Sequence, residues 1–201
     1  MLELWLIRHA QTIWNAEHRI QGQRDAPLSS QGLEQAARLA RRLQHVSFDR
    51  VYSSDSGRAQ HTAEVALPGC DVMTDTRLRE LSYGTLEGKT HAEFVAGETE
   101  AYAAHRSDPY AVPLPGGESW QDLGVRVSAW LAELPPEGSV AIFSHGGTLR
   151  SALFAVTKTQ THEWNVFFGN TSITRLRLGE LPTVVSVNDT AHLEPWTEGY
   201  A

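Results

Sequence analysis

One cysteine, Cys70, in a chain of 201 residues excludes an intrachain disulfide and any cage of thiolate ligands. That usage fits a reducing compartment, with Cys70 expected as a small buried or half-buried hydrophobe. No apolar run is long enough to span a membrane, and no basic segment precedes the apolar N-terminal stretch. The expectation is a soluble, cytoplasmic chain. Positive charge is in deficit, with 17 Lys and Arg against 24 Asp and Glu and a net charge of -7. No basic face or Lys/Arg run offsets it, which argues against a partner that is nucleic acid or an anionic membrane. An anionic small molecule would therefore need cations gathered locally. There is no internal repeat, low-complexity segment or linker, so residues 1–201 are expected to form a single domain. At 41% hydrophobic residues the chain can bury one sizeable core.

What is present begins with Leu2-Glu3-Leu4-Trp5-Leu6-Ile7, an almost unbroken apolar run that reads as a strand buried on both faces. It ends at Arg8-His9. In open α/β sheets the carboxyl ends of central strands hold the ligand, so this pair occupies a candidate active-site position. Asn15 to Pro27 reads as a polar loop carrying functional groups, among them Gln21, Gly22, Arg24 and Asp25. Ser29 or Ser30 then caps a helix with Leu33, Ala36, Ala37, Ala40 and Leu43 at helical spacing.

Phe48 to Ser53 reads as a second strand, followed by a helix that Ser54, Asp55 or Ser56 can cap. Arg58 falls in its first turn, where a cation opposes the helix dipole unless an anion or a carboxylate lies beside it. A short strand at Val72-Met73 precedes the irregular stretch Leu78 to Gly88, which carries Glu80 and Glu87. Residues 89–117 are polar with scattered aromatics, and Glu118 to Leu134 is an amphipathic helix. Ser139 to Phe143 forms another buried strand, running into Ser144-His145-Gly146-Gly147 and a further helix, where glycines open the backbone N–H groups to an oxyanion. Ser172 to Leu178 and Thr183 to Val187 alternate as a hairpin. The class is α/β, with a mostly parallel mixed sheet in a three-layer α/β/α arrangement.

Two arginines and two histidines converging at strand exits suit a dianionic phosphoryl group, because guanidinium forks bind two phosphate oxygens and keep their charge. A neutral imidazole can attack phosphorus and divide the displacement into two steps. An acid must protonate the departing oxygen, and Glu80 is the candidate. No H-E-x-x-H helix or other ligand set supports a metal centre, and no G-x-S-x-G elbow supports a serine nucleophile. A metal-free reaction with no cofactor is expected, since the arginines bring the charge a metal would supply.

These motifs, in this order over nearly the whole chain, resemble the histidine phosphatase superfamily in its cofactor-dependent phosphoglycerate mutase branch. The resemblance implies a phosphoglycerate mutase-like fold, His9 as phosphorylated nucleophile, Arg8 and Arg58 as phosphate ligands, Glu80 as proton donor and His145 as the second histidine. It also implies phosphate or substrate contacts from Asn15, Gln21 and Gly22, and a backbone N–H contact from Gly146. Two departures stand out: Ala10 replaces the family's usual glycine, and the stretch between Glu80 and His145 is short for a mutase and lacks its paired arginines. A phosphatase acting on a small phosphorylated metabolite is the expectation, with a mutase and a non-catalytic phosphate-binding protein as alternatives. The acid phosphatase and phytase branch fits less well. Residues 89–117, including Lys89, His91, Phe94, Tyr102, His105, Arg106 and Tyr110, are expected to select the substrate. The tail 188–201 carries His192, Trp196 and Tyr200, which can cover the site, pack on the body or meet a partner. Aromatics near Trp164, Phe167 and Phe168 are compatible with a homodimer, although burial accounts for them more simply.

Overall fold

Apolar side chains alternate along the first strand between two cores on opposite faces of one sheet. The computed structural model describes residues 1–90, 92–93, 100–159 and 166–194. In chain order its elements are β1 (Leu2–Arg8), α1 (Ile13–Ala16), α2 (Ser30–Leu43), β2 (Arg50–Ser54), α3 (Gly57–Ala66), β3 (Val72–Asp75) and α4 (Glu100–Ser107). They continue with α5 (Trp120–Leu131), β4 (Gly138–Ser144), α6 (Gly146–Thr157), β5 (Ile173–Leu178) and β6 (Thr183–Asp189). The sheet runs β3-β2-β4-β1-β5-β6. Strands β3, β2, β4 and β1 are parallel neighbours, while β5 pairs antiparallel with both β1 and β6. It is the mixed, mostly parallel sheet of the three-layer class.

Leu2, Leu4 and Leu6 enter one core with Leu123, Val127 and Trp130 of α5 and Leu149 and Leu153 of α6. Trp5 and Ile7 enter the other with Leu39 and Leu43 of α2 and Ala63 and Ala66 of α3. Two-sided burial is why β1 reads as a continuous apolar run. The register of β1 on β4 sets Arg8 opposite Ser144, so His9 and His145 leave the sheet side by side. Strand β2 lies beside β4 with Ser53 opposite Phe143, which brings Ser54 to the same edge.

Several local expectations need correction. Strand β1 continues through Arg8, and Phe48 precedes β2, packing edge-on against Trp5 at 5.5 Å. Leu33 is exposed, because α2 turns Ala36, Leu39 and Leu43 inward together with Gln35. Ser29 caps α2 by accepting from the Gly32 N–H at 3.0 Å. Ser56 occupies the N-cap of α3 with no side-chain bond to the helix. Cys70 is exposed, in the turn that follows α3. Phe168 is buried as expected, but Phe167 is exposed. Of the residues expected to select substrate, His91 and Phe94 lie outside the described residues, and Tyr102 belongs to the core. His192 packs on the body, against Thr171 Oγ1 at 3.1 Å, whereas Trp164, Trp196 and Tyr200 lie outside the described residues. Among the described residues no helix is long and apolar enough to cross a membrane.

Candidate active site

At the end of β1 the backbone is fixed from both sides. The His9 N–H donates to the Ser144 carbonyl at 2.9 Å, and the Arg8 carbonyl accepts from the Thr171 N–H at 3.1 Å. His9 is buried, and its Nδ1 lies 2.8 Å from the Ala10 carbonyl. A carbonyl can only accept, so Nδ1 carries the proton and Nε2 keeps its lone pair. Burial, then the charges of Arg58 and Arg8, hold the ring well below the usual imidazole range, with the Ala10 bond opposing them. His9 is a neutral ring at ordinary pH.

The residues that follow organise the rim. Thr12 and Asn15 form a capping box at α1, and Asn15 Oδ1 also accepts from Asn170 Nδ2 at 3.3 Å. The same Asn170 amide donates to the His9 carbonyl at 3.0 Å. Gln21 donates to Thr12 Oγ1 at 2.6 Å.

Arg58 is almost fully buried at the start of α3. Its Nη1 donates to Asp25 Oδ1 at 3.0 Å and to the Arg24 carbonyl at 2.8 Å, and its Nη2 donates to the Gly22 carbonyl at 2.7 Å. Asp25 is the carboxylate that the dipole argument required. Burial lowers the guanidinium from its ordinary value and Asp25 opposes that, leaving a permanent cation whose buried Nε has no partner among the described residues. The opposite side of the same loop is held by Glu87, which accepts from the Gln23 N–H at 2.9 Å and the Arg24 N–H at 3.0 Å. Gly22, with φ at 57°, is required here because a Cβ would strike the Glu87 carboxylate.

His145 forms the N-cap of α6, with its ring centroid 5.2 Å from that of His9. Its Nε2 bonds Ser54 Oγ at 2.9 Å, while Nδ1 is buried without a partner among the described residues. Burial first, then Arg58, His9 and Arg8, hold this ring well below the usual range too. The expected anion cradle is partly filled. Glu80 accepts from the Gly147 N–H at 3.0 Å, the Thr148 N–H at 3.2 Å and the Leu81 N–H at 2.9 Å. Among the described residues the Gly146 N–H at the helix start makes no such bond, and Arg8 Nε stands 3.9 Å from where a Gly146 Cβ would lie. Arg8 Nη1 donates to the Phe168 carbonyl.

Glu80 is presented by a clamp that motif reading missed. Arg126 of α5 donates to the carbonyls of Arg77, Arg79 and Glu80 at 2.7 to 2.8 Å and pairs with Glu118 at 2.8 Å. Asp25, Ser54, Glu87, Asn170 and the Arg126–Glu118 pair are thus the supports of the nine expected residues, all of which meet at this edge of the sheet. Asp25 was read among the functional groups of its loop, Ser54 as a possible helix cap and Glu87 in an irregular stretch, and Arg58's position against the helix dipole asked for a carboxylate; no local signal marked Asn170 or the Arg126–Glu118 pair. No group of three or more His, Cys, Asp or Glu side chains among the described residues is arranged to hold a metal ion.

Comparison with known proteins follows the same lines. The family model for the histidine phosphatase superfamily, branch 1, matches residues 4–190. A protein of Enterobacter sp. (strain 638) named as a probable phosphoglycerate mutase is 37% identical over 207 residues, covering 96% of each chain. The alpha-ribazole phosphatase of Shigella flexneri superposes with a TM-score of 0.86 at 28% identity, over 93% of this chain and 96% of that one. A mycobacterial glucosyl-3-phosphoglycerate phosphatase, solved with VO3, gives a TM-score of 0.82 at 34% identity, over 92% and 98%.

Proposed function

The chain belongs to the histidine phosphatase superfamily, and from that premise we propose that it hydrolyses small phosphomonoesters through a phosphohistidine on His9. The observation that carries this reading is the buried His9 ring, with Nδ1–H committed to the Ala10 carbonyl and Nε2 left as a lone pair beside two arginines. Nε2 attacks phosphorus while the ester oxygen leaves. Arg8, Arg58, the Gly146 N–H and the Asn15 amide neutralise the phosphoryl oxygens. His145 joins them through Nδ1–H when the Ser54 hydroxyl donates to its Nε2.

Glu80 passes a proton to the leaving oxygen and takes one from the water that later attacks the phosphohistidine. Three N–H bonds to Glu80 are the geometry of a carboxylate. The proton it passes on therefore arrives with the substrate, as the phosphomonoester monoanion. The proton that Glu80 takes from water passes to the departing inorganic phosphate, which leaves Glu80 a carboxylate and His9 free for the next turnover.

One observation favours a second reading, phosphoryl transfer between phosphoglycerates, because the curated relatives carry a mutase name. The short connection between Glu80 and His145 supports hydrolysis instead. Phosphate release from a panel of phosphomonoesters, measured with a chelator present and repeated with His9→Ala, separates them. Hydrolysis requires release that survives chelation and disappears in the variant. Isomerisation of a phosphoglycerate with little release would establish the mutase.

A further inference from the structure

The turn that leads into β5, Phe168 to Thr171, touches three residues of the site at once. The Phe168 carbonyl accepts from Arg8 Nη1, and the Thr171 N–H reaches the carbonyls of Arg8 and His9 at 3.1 and 3.3 Å. Between them, the buried Asn170 divides its side-chain NH2 between two acceptors, the His9 carbonyl at 3.0 Å and Asn15 Oδ1 at 3.3 Å. Thr171 is fully buried with φ at 56°, a conformation that β-branched residues avoid. Such strain persists only where the surroundings over-determine it. Here the N–H bonds to β1, the hydroxyl's donation to the Asn170 carbonyl at 2.7 Å and the His192 ring at 3.1 Å do so.

This turn decides which way the Asn15 amide faces. Asn15 Oδ1 accepts from the Thr12 N–H at 3.1 Å as well as from Asn170 Nδ2. A backbone N–H can only donate and the His9 carbonyl can only accept, which settles both amides: Asn170 presents its NH2 and Asn15 its oxygen. Both lone pairs of Oδ1 are then engaged, and Nδ2 is the end of the Asn15 amide left for a ligand. Turning that amide over would set its NH2 against two donors. Thr12 alone would oppose the turn with a single bond. Asn170 adds a second and ties the amide to the carbonyl of His9 itself.

We infer that Asn170 is a positioning residue of the phosphoryl site, which holds the Asn15 amide with Nδ2 toward the phosphoryl oxygens and fixes its place relative to His9. Asn170 does not itself touch the substrate. The inference rests on the reading of Asn15 as a phosphoryl ligand in the proposed phosphatase. Most of the effect of Asn170 therefore runs through Asn15 and vanishes when that side chain is removed.

A double-mutant cycle over Asn15→Ala and Asn170→Ala tests it, read by calorimetric binding of orthovanadate so that turnover is not required. In the unaltered chain Asn170→Ala should weaken vanadate binding about tenfold. In the Asn15→Ala chain the same change should cost about twofold or less. A purely structural role would lower stability and affinity alike in both backgrounds. Asn170→Ser, which keeps a small polar side chain, takes the place of the alanine variant should that fail to fold. Additive losses would overturn the inference, as would an Asn170 variant that binds vanadate as tightly as the unaltered chain. Absence of vanadate binding by the unaltered chain would remove the phosphoryl site and the inference with it. Coupling of the two residues in a chain that releases no phosphate from any phosphomonoester would support the positioning role and sink the hydrolytic reading alone.

Discussion

The proposed attack by His9 requires a neutral ring, and the surroundings keep it so well below pH 6.5. Acidification through that range therefore leaves the nucleophile intact. The substrate monoanion, by contrast, is lost as pH rises through the second phosphate pKa of about 6. The substrate alone therefore shapes the profile in this range, and kcat/KM for a simple phosphomonoester is expected to be highest on the acid side and to fall above about pH 6 to 7. A pH profile with its maximum well above neutrality would contradict the proton route. Gly147→Ala tests the position of Glu80, because the new Cβ meets Glu80 Oε1 and the Trp120 ring. Activity should drop by about a hundredfold with the fold retained by circular dichroism. The meeting of the nine expected residues at one sheet edge was legible because strand exits and ordered motifs mark them. Asn170, Ser54, Glu87 and Arg126 were not, because each acts on a neighbour's backbone or ring across the fold, and no local spacing records that.

The loop Gly22 to Asp25 is an element held from two sides, its carbonyls by Arg58 and its N–H groups by Glu87. Glu87→Gln puts a donor where acceptors are needed. A loss of about 1–3 kcal/mol in chemical denaturation is expected, with KM for the phosphomonoester raised more than kcat is lowered. An unchanged KM would show that Arg58 holds its place without the loop. Strands and long helices were readable from periodicity, since two-sided burial produces β1 and β4 as apolar runs and one-sided burial produces the stripes of α5 and α6. Leu33 was misassigned because α2 buries Gln35, whose Oε1 accepts from the Gln11 N–H at 2.9 Å. Cys70 was misassigned because it follows α3 in a turn that leaves it exposed among the described residues.

At the scale of the whole molecule, the buried His9 and His145 and the half-buried His192 couple stability to pH. His9 and His145 are held well below 6.5, and His192 is lowered to about 4, by burial first, with Arg42 and Arg38 adding to it and Asp189 opposing. Each ring takes a proton more readily unfolded than folded, so stability is lost as pH falls below about 6.5. His192 stands behind Thr171, whose N–H fixes the Arg8 carbonyl, and it is the half-buried ring of the three. His192→Gln should recover on the order of 1 kcal/mol near pH 5 relative to its own change at pH 7, measured by chemical denaturation at each pH. Parallel stability curves for the two proteins from pH 7 to 5 would refute that role.

The most direct test of the chemistry is to mix the enzyme with a rapidly turned-over phosphomonoester, quench in alkaline denaturant within the first turnovers, and map the phosphoryl group by peptide mass spectrometry. Phosphorylation on the peptide containing His9, acid-labile and absent from His9→Ala, is the expected result. Steady turnover with no phosphorylated enzyme, or with the phosphoryl group on another residue, would contradict a reaction that passes through His9.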